Sequence, residues 1–149
     1  MKIAIASDHA GFELKEYLKE ALRREGHDIA DFGPQVKKAV DYPDYAVQVA
    51  RAVSSGGFSR GILICGTGLG MSIAANKVKG VRAAVCNTPE LCRIAREHND
   101  ANVLTMGGRI VAKELAHQIA LVFLETPFLR GRHLRRVNKI RAIERRECA

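Results

Sequence analysis

Short, unbroken apolar runs alternate along this chain with stretches whose apolar residues recur every three or four positions. Ile3–Ala6 is the first run, and Glu13–Arg24 follows with Leu14, Leu18 and Leu22 at helical spacing. Gly26 stops that helix, and His27–Phe32 reads as a second strand. Pro43 and Asp44 open a helix with Ala46, Val49, Ala50 and Val53 on one face, ended by Gly56 and Gly57. Gly61–Cys65 predicts a third strand and Leu69–Val78 the helix behind it. Val81–Cys86 predicts a fourth strand, Pro89 to about Glu97 a helix, and Val103–Met106 a fifth strand. Ala112–Leu124 is the next helix, broken by Pro127. A last amphipathic stretch carries Leu134, Val137, Ile140 and Ile143 along one stripe.

Continuous apolar strands that alternate with helices predict an α/β fold, a parallel sheet covered on both faces. No repeat, linker or low-complexity tract interrupts the pattern, so residues 1–149 read as one domain. Such sheets hold ligands at the carboxyl ends of their strands. Those ends are Ser7-Asp8-His9, Cys65-Gly66-Thr67-Gly68, Cys86-Asn87-Thr88 and Met106-Gly107-Gly108-Arg109, and the Pro89 helix runs into His98-Asn99-Asp100. The expectation is that these groups converge on one edge. Each also has a plainer reading: Asp8 as a helix cap, His9 as a surface histidine, His98 and Asn99 as a polar helix end, Arg109 as a loop charge.

The stretch GILICGTGLGMSIAANK, Gly61–Lys77, places a cysteine and three glycines between strand and helix. It fails three phosphate-loop patterns. A Walker A loop needs Lys-Ser/Thr after its last glycine; the dinucleotide fingerprint needs a glycine where Met71 stands, and an acidic residue about 20 positions on. A cysteine phosphatase needs arginine at that same Met71. What remains is a run of backbone N–H groups over Gly66–Gly70 at a helix start, which stabilises an anion, including an oxyanion formed during reaction. The same field favours a thiolate at Cys65. Alternatively, Cys65 ends a buried strand and the glycines make a tight turn.

Composition narrows the class. The chain is 47% apolar and 27% charged, and its longest apolar run, Ile119–Leu124, is far too short to span a bilayer. Ser7, Asp8 and His9 break the first run, unlike a signal peptide, so a cytoplasmic protein is expected. Cys65, Cys86, Cys92 and Cys148 form no CxxC pair and no disulfide framework, and no metal site is expected. The net charge of +8 is uneven: Leu129–Glu147 holds eight Arg or Lys against Glu144 and Glu147. That segment, GRHLRRVNKIR, reads as a solvated helix face, a nucleic-acid backbone contact, or a clamp for one phosphate through Arg132 and Arg136.

Taken together, SDHAGFELK, DYPDYA, ILICGTGLGMSIAANK, HNDANVL and GRHLRRV resemble, in this order, the ribose-5-phosphate isomerase B family, within a wider group that includes allose-6-phosphate and galactose-6-phosphate isomerases. The resemblance implies a three-layer Rossmann-like fold with a five-stranded parallel sheet, its C-terminal helix reaching to a dimer partner. It implies an aldose–ketose isomerase acting on phosphorylated sugars without cofactor, metal, nucleic acid or membrane. Cys65 matches the general base, the amides of Gly66, Thr67, Gly68, Leu69 and Gly70 the oxyanion donors, and His98, with Thr67 near it, the ring-opening acid. Asp8, His9 and Asn99 match substrate contacts, Arg132 and Arg136 phosphate ligands, and Arg109 a further binding position. Family members are homodimers, some pairing into tetramers, with sites across the interface.

Two departures stand out: GPQVKKAV replaces a Thr/Ser-rich loop, and Arg130 stands where a glycine commonly precedes GRH. The implied reaction is interconversion of D-ribose 5-phosphate and D-ribulose 5-phosphate. A six-carbon sugar phosphate is the alternative substrate. A non-catalytic nucleic-acid binder using the basic helix is a distant one; three Tyr, five Phe and no Trp offer that reading little stacking material.

Overall fold

In the computed structural model, which describes residues 1–148, five parallel strands form one sheet in the order β2-β1-β3-β5-β4. The strands are β1 (Lys2–Ser7), β2 (Asp28–Asp31), β3 (Arg60–Cys65), β4 (Ala83–Val85) and β5 (Val103–Gly107). The helices between and after them are α1 (Phe12–Arg24), α2 (Tyr42–Ser54), α3 (Leu69–Ala75), α4 (Pro89–Asn99), α5 (Lys113–Glu125) and α6 (Gly131–Glu147). None of these is long and apolar enough to cross a membrane.

The order follows from two-sided burial. Ile3 and Ile5 of β1 join Ile62 and Ile64 of β3 in the core under α1, α4 and α5. The alternate residues Ala4, Ala6, Leu63 and Cys65 face α2 and α3. β3 is therefore apolar on both faces and central, its register running Ile3↔Arg60 to Ser7↔Ile64 on one side and Gly61↔Val103 to Cys65↔Gly107 on the other.

β2 is a residue shorter at each end than its pattern, and β4 and α3 stop short for specific reasons. β4 begins at Ala83 rather than Val81, because Val81 closes a turn onto Val78 and the Arg82 N–H bonds the Asn102 side chain at 2.7 Å. α3 ends at Ala75 rather than Val78. Lys77 and Val78 tighten into bonds to Ala74 and Ala75, and the Asn76 side chain turns away to both backbone groups of Ala83.

A buried ion pair secures the first crossover. Lys15 on α1 is fully buried, and its ammonium donates to Asp31 at 2.7 Å, to Glu16 at 3.0 Å and to the Pro34 carbonyl at 2.9 Å. Lys19 reaches the same Asp31 oxygen at 2.7 Å. Every donor of the buried ammonium is thus satisfied, the condition under which such a charge is tolerated. The loop it braces returns to the sheet through Ser7 N–H to the Gly33 carbonyl, at 3.1 Å.

Candidate active site

The carboxyl edge of the sheet gathers one group of the candidate residues. Cys65 ends β3 and is 5% exposed. Its Sγ accepts the Gly68 N–H at 3.2 Å. That bond depends on Gly68 lying at φ 87°, a left-handed conformation that favours glycine. A Cβ there would also stand 3.0 Å from the Met106 backbone. Thr105 fixes the other end of the residue, its hydroxyl donating to the Gly68 carbonyl at 2.8 Å.

The amides of the glycine loop are not equivalent. Gly68 N–H serves the sulfur, and Leu69 N–H donates to the Thr67 hydroxyl at 3.2 Å. Gly70 and Met71 follow in the first turn of α3, where an N–H has no acceptor four residues back within the helix; Met71 is fully buried. Tyr42, at the start of α2, lays its ring beside this turn; a Cβ on Gly70 would meet it at 2.5 Å.

Around this centre, Asp8 is buried and its Oδ1 accepts the Gly11 N–H at 3.0 Å, bracing the turn before α1, whose own N-cap is Gly11 with no side-chain cap bond. His9 accepts the Val40 N–H at Nδ1, 3.4 Å away. Arg109 curls over the loop: its N–H bonds the Gly66 carbonyl at 3.1 Å, and its guanidinium lies 3.3 Å from where a Gly66 Cβ would be. Cys65, Thr67, Asp8, His9 and Arg109 thus share one edge.

His98 and Asn99 do not join them, which corrects the expected convergence. α4 starts beyond the carboxyl end of β4 and runs antiparallel to the strands. Its eleven residues, about 16 Å at 1.5 Å each, carry His98 to the amino edge. There the Asn99 carbonyl accepts from Arg82, just before β4, and the nearby Asn102 carbonyl accepts from Gly61 at the start of β3. His98 stacks on His133 of α6, ring centroids 4.1 Å apart and planes at 9°. Arg132 and Arg136 flank His133 on the exposed side of α6, so these basic residues form a second cluster with His98, remote from Cys65 of the same chain.

Burial, the adjoining His98 and the flanking Arg132 and Arg136 hold the His133 imidazole below its ordinary range. The remaining thiols divide by environment. Cys86 and Cys92 are buried under α4 and α5, and the hydrogen bond to Cys86, together with burial, pushes the Cys92 thiol up. Cys92 is therefore protonated packing at neutral pH, and Cys148 is exposed. Arg130 sits at φ 62° and ψ −132° as it leads into α6.

Tyr42, Asn87 and His133 adjoin these clusters without having been singled out by spacing. Tyr42 lies in the DYPDYA motif and Asn87 at a strand end, and those were their only signals.

A profile of the family described as ribose/galactose isomerase matches residues 3–140. Ribose-5-phosphate isomerase B of Escherichia coli strain K12 is 48% identical over 145 residues, covering 97% of each chain. The solved structure of Clostridium thermocellum ribose-5-phosphate isomerase B superposes with a TM-score of 0.96 at 51% identity, over 98% of this chain and 99% of that one. Ribose-5-phosphate isomerase B of Mycoplasma genitalium, solved with bound ribulose 5-phosphate, gives a TM-score of 0.94 at 43% identity, over 97% and 96%.

Proposed function

The chain belongs to the ribose/galactose isomerase family, and we propose that it interconverts D-ribose 5-phosphate and D-ribulose 5-phosphate, with Cys65 as the base. The observation that carries this reading is the Gly68 N–H held at 3.2 Å on the Cys65 sulfur, at the first turn of a helix. It is supported by the ribose-5-phosphate isomerase B relatives, similar over nearly the whole chain.

In this mechanism the Cys65 thiolate removes the C2 proton of the open-chain aldose. The C2–H electron pair forms the C1–C2 double bond, and the C1 carbonyl oxygen takes up the negative charge of an enediolate. The backbone N–H groups of the Gly66–Gly70 loop, with the dipole of the turn, stabilise that oxygen. Proton return from Cys65 to C1, with the O2 proton passing to O1, leaves the ketose. His98 is the acid for ring opening, with Thr67 beside the reacting end, while Asp8, His9, Asn99 and Arg109 bind the sugar. Arg132 and Arg136 take the phosphate, where guanidinium pairs match its oxygens.

His98, Arg132 and Arg136 lie at the amino edge, so this assignment requires a second copy of the chain, whose cluster meets the first copy's Cys65. A homodimer is therefore the working unit. Leu69 and Ile73 of α3 and Leu91 of α4 are more than half exposed, the apolar surface a partner would cover. A cavity of about 450 Å³ lies between β4 and α6, lined by Val81, Ala84, Ile140 and Ile143 among others.

The test compares kcat/KM for five- and six-carbon aldose phosphates in the wild type and in Cys65→Ala. The ribose 5-phosphate reading predicts clear preference for the five-carbon substrate and loss of kcat by at least about a thousandfold in Cys65→Ala, with substrate binding retained. Preference for a six-carbon phosphate would move the substrate assignment; an active Cys65→Ala would remove the base.

A further inference from the structure

Asn87, half-buried just beyond the end of β4, spans the gap between the two central strands' carboxyl ends. The β4–β5 ladder ends with the Cys86 N–H on the Thr105 carbonyl at 3.0 Å. The Asn87 side chain supplies the next rung: its Oδ1 accepts the Gly107 N–H at 3.0 Å, and its Nδ2 donates to the Thr67 carbonyl at 3.3 Å. One partner is a donor and the other an acceptor, so together they leave the amide a single orientation.

The second bond has a consequence one atom pair further on. The Thr67 carbonyl and the Gly68 N–H belong to the same peptide group, which is planar and trans, so the two point in opposite directions. A donor that holds the carbonyl on one side aims the N–H on the other. That N–H is the one on the Cys65 sulfur. Gly68, at φ 87°, has the backbone freedom for this peptide to rotate, and the Thr105 bond to the Gly68 carbonyl secures only the following peptide. Asn87 is the side chain that holds the one between.

From this geometry we propose that Asn87 is a positioning residue, which locks the Thr67–Gly68 peptide so that the Gly68 N–H stays aimed at the Cys65 sulfur and stabilises its thiolate. Its own side-chain bonds go to backbone groups of Thr67 and Gly107, not to the sulfur. The link to turnover rests on Cys65 being the base, but the effect on the sulfur does not.

The experiment uses Asn87→Leu, a neutral side chain of similar size, in full-length protein carrying Cys148→Ser to remove the exposed thiol. Iodoacetamide alkylation of Cys65 is followed by mass spectrometry of its peptide, beside kcat and KM, across pH. A hydrogen bond to a charged group is worth roughly ten- to a hundredfold. At neutral pH the variant should therefore show Cys65 alkylation and kcat reduced by about that much, with KM within about twofold, and both should recover as pH rises and the thiolate forms without assistance. Merely structural damage would not recover with pH. Unchanged or faster alkylation, or a loss equal at every pH, overturns the proposal. Slower alkylation with unchanged kcat would keep Asn87 in this role and remove Cys65 as the base. Should Asn87→Leu not fold, Asn87→Ala is read by the same criteria.

Discussion

His98 lies flat on His133, their ring centroids 4.1 Å apart and their planes 9° from parallel. The stack joins the end of α4 to the start of α6 and crowds two imidazoles against Arg132 and Arg136. Burial comes first among the causes that hold His133 below its ordinary value of 6.5, followed by His98 and the two arginines. The unfolded chain takes up this proton near pH 6.5, whereas the folded chain accepts it only at lower pH. Stability therefore falls as pH drops below about 6.5 and levels off once folded His133 is protonated as well. His133→Phe keeps a flat ring and removes the titration, so its Tm should drop less than the wild type's between about pH 7.5 and about pH 5.5. Equal drops would show that His133 does not carry the effect.

Because the two clusters lie at opposite edges of one sheet, a site built from both must combine two chains. On the dimer reading proposed above, the Cys65→Ala and Arg132→Ala proteins should each be nearly inactive. Mixing them under conditions that exchange subunits should restore up to about a quarter of wild-type activity, since half the dimers are then hybrids with one intact site of two. Persistent inactivity in a mixture proven to contain hybrids would mean that each chain completes its own site.

Arg130 adopts φ 62° and ψ −132°, a region that glycine enters at little cost and other residues do not. Arg130→Gly should relieve about 1 kcal/mol and raise Tm by about 2–4 °C. A lowered Tm in thermal unfolding would show that contacts of the arginine outweigh its backbone strain.

Asp31 answers two ammonium groups, one of them fully buried. Burial alone would raise its carboxyl, but the hydrogen bonds from Lys15 and Lys19 outweigh that and hold it below the ordinary 3.8. This stabilisation is present above the unfolded value and is lost as pH falls through the lower folded one. Asp31→Asn, which leaves the buried Lys15 ammonium with Glu16 as its one remaining carboxylate, should cost about 3 kcal/mol near neutral pH, or roughly 6–12 °C in Tm. The gap to wild type should narrow in strong acid, and a difference constant with pH would exclude the ion pair as its source.

The strands were readable from the sequence because two-sided burial makes them continuous apolar runs; Ile62, Leu63 and Ile64 are all fully buried. The same signal overextended β4, since Val81 is buried too, though by a turn rather than a ladder. The candidate site was legible as a set of residues but not as an arrangement. A helix that starts at the carboxyl edge must end near the amino edge, so α4 carries His98 away from Cys65 however polar its end. Asn87 was legible as a strand-end residue but not in its role: its partners Thr67 and Gly107 are each 20 positions away, and nothing local marks an amide that spans them.

The two clusters also differ in how firmly they are anchored. Cys65 ends the central strand, paired on both sides, a position expected to open last. Arg132 and Arg136 ride on a terminal helix with two buried residues, His133 and Val137. On the roles proposed for these residues, warming should loosen Arg132 and Arg136 before it disturbs Cys65. The first sign of heat damage should be a rising KM, ahead of any fall in kcat.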